Sequence, residues 1–178
     1  MLSIGSPTMG VLVLENIVFF VVSVLILGVG VLRYRGTAPF PGPVRPWPTW
    51  FQVWFRVIWI AGFLLPIATL VYFGFIPGDS AVILALAPYF LMFFVQIATE
   101  QFLWQVYKSP IWVAVPCLYL PWRVWQVVRG FQVMEPYPHQ TFVIYTLWVL
   151  FILWIINIGV HFTGIPGSMR YSQHKTVT

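Results

Sequence analysis

Glu100 is the residue with the most chemical potential in this chain. It lies near the end of a long apolar run, with Gln96 four residues before it and Trp104 and Lys108 continuing at intervals of four. On a helix these four share one face. A carboxylate at membrane depth is costly unless it is paired, and it marks a functional site by default. Arg123, Arg129 and Arg56 are the candidate partners. Paired only with arginine, Glu100 is a structural pin that fastens the segment after Ser109 to its own helix. Left partly available, the same pair binds a ligand, such as a pigment's metal centre or a polar lipid headgroup.

A looser set comprises Glu15, Asn16, Asp79, Asn157 and His161. Asn157 and His161 are four apart, on one side of a helix. His161 is a candidate axial ligand for chlorophyll; the structural alternative is an interface histidine bonded to a neighbour or water. The other histidines, His139 and His174, fall in expected loop or tail segments, which argues against a bis-histidine haem. Zinc lacks ligands, because the chain has 3 His and 1 Cys. Cys117 reads as a small apolar packing residue. No glycine-rich phosphate loop, HExxH or GxSxG stands in the sequence, and its four acids hold no fixed paired spacing. The expectation is a protein that is not an enzyme.

These residues must be positioned by apolar helices. Ile17–Leu32, Val57–Phe75, Ser80–Thr99 and Thr141–Val160 contain no formally charged side chain. A helix crosses a ~30 Å hydrocarbon layer with ~20 residues. The chain is 60% hydrophobic and 7% charged, against about 25% charged in soluble domains. The fold class expected is all-α integral membrane, in one domain. Its four transmembrane helices cover residues 11–32, 55–75, 80–104 and 141–162. Trp47, Trp50, Trp54, Trp112, Trp122 and Trp125 stand near segment ends, where rings anchor in headgroups. The start of the chain lacks the basic region and cleavage site of a secretory signal, so the first span is expected to stay as an anchor.

Residues 109–129 are the exception. The apolar part, Ile111–Trp122, is short and carries Pro116 and Pro121, and Arg123 follows directly. The expectation is a Pro-broken re-entrant or interfacial helix between spans three and four. The alternative is a fifth span over Pro110–Val128, which sets Arg123 at membrane depth. Gly36–Trp50, with five prolines, reads as a stiff strap. Gly78 and Asp79 mark a tight turn, Pro66 and Pro88 mark kinks, and residues 165–178 mark a flexible tail.

The net charge of +5 reads as a topology signal, not as nucleic-acid binding. With four spans, seven basic residues (Arg33, Arg35, Arg45, Arg56, Lys108, Arg123 and Arg129) fall on one side. Arg170 and Lys175 fall on the other. The basic loops are expected to be cytoplasmic or stromal, with both termini periplasmic or lumenal.

The pattern Ala87-Pro88, Gln96, Glu100, Ser109-Pro110, Val115-Pro116, Tyr119 and Arg123 resembles the central block of an uncharacterised plant membrane-protein family. That family is labelled after a mesophyll-cell RNAi library line. Spacing agrees from Ala87 to Ser109. Here Ser109 and Pro110 are adjacent where the family has one residue between them, so the later half is offset by one. The resemblance implies no activity. It does imply a photosynthetic lineage, a plant or cyanobacterial relative, and a thylakoid address.

The functional expectation is a non-catalytic accessory subunit, or an assembly or stability factor, of a larger membrane complex, with Gln96, Glu100, Arg123 and Arg129 as a ligand site or a structural ion pair. Membrane lipids and the complex are its partners, and chlorophyll or carotenoid a candidate cofactor. The alternative is a lipid- or isoprenoid-binding membrane protein or enzyme with its site around Glu100.

Overall fold

A computed structural model describes residues 7–33, 49–107, 111 and 114–173, with the side chains of the last helix described to Thr163. The described residues are helical almost throughout and contain no strand. Their long helices are α1 (Met9–Arg33), α2 (Thr49–Phe75), α3 (Ser80–Tyr107), α4 (Ala114–Met134) and α5 (Thr141–Gln173). Four of them are long and apolar enough to cross a membrane: α1, α2, α3 and α5 over Thr141–Thr163.

Proline chemistry shapes α2. Pro66 has no N–H to offer the Gly62 carbonyl four residues earlier. The helix widens into π turns at Ile60–Leu64 and Leu70–Phe75, and Leu65 N–H bonds to Ile60 five residues back. The Tyr89 hydroxyl donates to the Gly62 carbonyl across the helix interface, at 2.5 Å. A proline on one helix and a phenol on the next thus settle the same backbone group.

The turn into α3 follows its residue types. Gly78 takes φ +72°, which side chains disfavour. Asp79 then caps α3, accepting from Ala81 N at 2.9 Å and Val82 N at 3.3 Å. Gln140, just before α5, donates to the other Asp79 oxygen at 2.6 Å. The α2–α3 and α4–α5 turns therefore sit at the same end of the bundle. The start of α1 joins them, since Leu12 packs in one cluster with Ala81, Val82 and Met134. At the opposite end Leu27 of α1, Leu103 of α3 and Val115 of α4 pack together, and Trp54 of α2 donates to Asn157 of α5 at 3.0 Å.

Within residues 109–129 the prolines do not break the described part of the chain. From Ala114 to Met134 the segment is one helix, and it runs antiparallel to α3 from end to end. Tyr119 lies beside Thr99, Arg123 bonds Gln96, Gln126 bonds the Pro88 carbonyl, and Gly130 lies against Ala85. Pro116 falls in the first turn, where its missing N–H has no helical acceptor to serve. Arg123 is 2% exposed, inside the bundle, so the cost of placing it in lipid does not arise.

Five antiparallel helices also put the start of α1 and the far end of α5 at opposite ends of the bundle. Helix α5 continues to Gln173, past the expected start of a tail at 165. The proline strap from 36 to 48, Lys108, Pro110, Trp112 and residues 174–178 lie outside the described residues.

Small groups allow the helices to approach. A Cβ on Gly130 would stand 2.9 Å from Leu147 Cδ2 and 3.3 Å from the Ala85 carbonyl. The Thr69 and Thr146 hydroxyls meet at 3.0 Å between α2 and α5. Such close packing and polar ties hold helices together where burial from water supplies no drive.

Candidate functional site

Tyr89, Phe93, Gln96 and Glu100 follow one another at intervals of four, three and four on α3, so they form a single stripe. The stripe faces Arg123 of α4 and Trp154 of α5. Arg123 donates Nε and Nη2 to Gln96 Oε1, at 2.9 and 2.7 Å. Gln96 in turn donates Nε2 to Glu100 Oε1 at 2.6 Å. The expected pairing of Glu100 with an arginine is thus made through an amide. The two charges offset each other with Gln96 as the bridge, its oxygen toward the cation and its nitrogen toward the carboxylate.

Aromatic rings surround the guanidinium. Its carbon lies 4.4 Å from the Phe93 ring centre, 4.6 Å from Trp154 and 5.5 Å from Tyr89. Cation–π attraction of this kind strengthens when the cation is desolvated. Two buried donors lack an acceptor in bonding geometry: Arg123 Nη1 and Trp154 Nε1. Both neighbour the Tyr89 hydroxyl, whose proton is committed to Gly62. The arrangement can fix the position of a charged side chain and of three helices.

Arg129 is not a partner of Glu100. It forms an ion pair with Glu15 of α1 through two nitrogens and donates Nη1 to Gln132 at 2.8 Å. Trp125 donates to the same carboxylate at 3.3 Å, and the Arg129 guanidinium lies 4.7 Å from its ring centre. Beside this clamp, Asn16 Oδ1 accepts from Trp122 at 3.0 Å and Gln126 at 2.8 Å. Asn16 Nδ2 donates to the Leu12 carbonyl of its own helix at 2.8 Å. Arg56 is exposed on α2.

The looser polar set divides. Glu15 and Asn16 hold α1 to α4, Asp79 caps α3, and Asn157 accepts from Trp54. His161 Nδ1 lies 3.2 Å from the Asn157 carbonyl, so with that proton in place Nε2 keeps its lone pair for a metal centre. Among the described residues no three His, Cys, Asp or Glu side chains gather as metal ligands.

Sequence reasoning did not find Tyr89, Trp154, or the Glu15–Arg129 clamp. Tyr89 and Phe93 were legible as further members of the Gln96–Glu100 stripe. Trp154 was not, because nothing in the order of residues says which helix closes over the arginine.

The class these observations define is an all-helical bundle with four helices fit to span a membrane and polar ties between them. The chain belongs to the family described as Domain of unknown function (DUF7733), whose pattern matches residues 6–163 and so takes in every tie described above. No curated protein and no solved structure matches it.

Proposed function

We propose that the chain is an integral membrane protein of five passes that works by helix packing. It serves as a non-catalytic accessory subunit, or an assembly or stability factor, of a larger membrane complex. The observation that supports this best is α1. Only one side of it touches α3 and α4, while Val13, Leu14, Ile17, Val21, Leu25 and Val29 of its 25 residues are exposed. A helix held by a polar clamp at one end and apolar elsewhere offers lipid or partner helices a long contact.

Charge supports an orientation. With five passes, Arg33, Arg35, Arg45, Arg56, Lys108, Arg170 and Lys175 gather at one end in sequence, while Glu15, Asp79 and Glu135 stand toward the other. The positive-inside rule then makes the basic end cytoplasmic or stromal, with the C-terminal segment there and the start of α1 on the far side. The likeness to the plant family supports a thylakoid address, with chlorophyll or carotenoid as a candidate cofactor near His161.

A second reading, a lipid- or isoprenoid-binding protein or enzyme with its site at Glu100, draws support from the donors of Arg123 and Trp154 that lack an acceptor. Purification in gentle detergent, a native gel, and mass spectrometry of the band separate the two. A stoichiometric large complex favours the first, and a monomer carrying a defined lipid favours the second. A bare monomer defeats both.

A further inference from the structure

Gln126 of α4 is 6% exposed and faces the crossing of α1 and α3. Its amide nitrogen spends both hydrogens, one on Asn16 Oδ1 at 2.8 Å and one on the Pro88 carbonyl at 2.9 Å. That fixes the amide's orientation, because a flip would set its oxygen against two acceptors. The oxygen, Oε1, is buried and has no hydrogen-bond partner. A buried acceptor without a donor costs ~1–3 kcal/mol, so this position calls for a proton donor.

A small cleft lies beside the Gln126 side chain. Lined by Gln126, Asn16, Glu15, Pro88 and Trp122, it has room for solvent centres of about 10 Å³, roughly what a single water needs. Trp125 and Arg129 also line it, and the donors around Gln126 point to other acceptors. Trp122 serves Asn16, Trp125 serves Glu15, and Arg129 serves Glu15 and Gln132. Gln126 Oε1 itself can only accept, so the group that satisfies it must bring a proton.

We propose that the cleft where α1 crosses α3 and α4 binds one hydroxyl group, which donates its proton to Gln126 Oε1. Water and the hydroxyl of a lipid headgroup share this chemistry. The bound group completes the polar seam that holds α1 in place.

The test is a structure of the full chain determined twice, in lipid nanodiscs and after exhaustive delipidation in detergent, at a resolution that shows ordered water. The nanodisc map is expected to place an oxygen at ~2.6–3.2 Å from Gln126 Oε1. An isolated peak kept after delipidation identifies water, and a peak continuous with a headgroup and lost on delipidation identifies lipid; both uphold the proposal. Carbon packed against Oε1 in both maps, or a protein donor bonded to it, overturns it.

Discussion

Replacing Gln96 with leucine removes the bridge in the Glu100–Gln96–Arg123 relay while keeping a side chain of similar bulk. Arg123 then loses both of its acceptor contacts, at 2.9 and 2.7 Å, and Nη1 has none to begin with. Two magnitudes compete. Polar ties between membrane helices average ~0.6 kcal/mol, because helices apart in lipid find other partners. Stranding a buried charge costs ~3–5 kcal/mol. The second should win here, because Arg123 is 2% exposed and no other acid pairs with it directly. Its contacts with Phe93, Trp154 and Tyr89 survive the change and offset ~1–2 kcal/mol. The net expectation is a loss of about 1–4 kcal/mol. Adding Arg123→Met removes the stranded charge, so the double variant should be more stable than Gln96→Leu alone. Reversible SDS titration in bicelles measures all three proteins. A Gln96→Leu loss under ~0.6 kcal/mol, or a double variant weaker than the single, would refute the reasoning.

Further predictions concern packing and backbone. Gly130→Val should destabilise the fold by ~1–3 kcal/mol, the usual range for overpacking, because even a Cβ meets Leu147 at 2.9 Å; thermal melting in detergent reads the shift. Tyr89→Phe should cost ~1–2 kcal/mol by leaving the Gly62 carbonyl without its hydroxyl donor. Pro66→Ala in that background should return part of the loss by restoring an N–H, which paired SDS titrations check. Trp54→Phe breaks only the 3.0 Å tie to Asn157 and should cost ~0.6 kcal/mol; a loss several times larger in the same titration would mean that the ring's packing dominates.

The spans were legible because their chemistry is continuous. Apolar runs of the right length became α1, α2, α3 and much of α5, and Gly78 with Asp79 announced the turn. Glu100 and Gln96 were legible as neighbours on one face, and Arg123 as the counter-charge. The amide bridge was not, because Glu100 attracts an arginine in any direct or indirect geometry. Helix α4 is continuous where a Pro-broken piece was expected, and the difference has a physical reason. Hydropathy charges Arg123 the cost of facing lipid, whereas Gln96 and three rings enclose it. Pro116 looks like a breaker until the helix is known to begin at Ala114, where a proline in the first turn does no harm. Arg129, one of three candidate partners for Glu100, pairs with Glu15 instead, which is distant in sequence and is brought near only by the antiparallel run of α4.

The most direct test of the five-pass bundle is the sidedness of its two turns. Pro77 and His139 are both exposed, in the α2–α3 and α4–α5 turns. Pro77→Cys and His139→Cys, each made in a Cys117→Ala background, are labelled in sealed vesicles with a membrane-impermeant maleimide. Both cysteines should react from the same side of the membrane if, as proposed, α3 and α4 together cross and return. Reaction from opposite sides would mean that α4 does not cross, and would contradict the account.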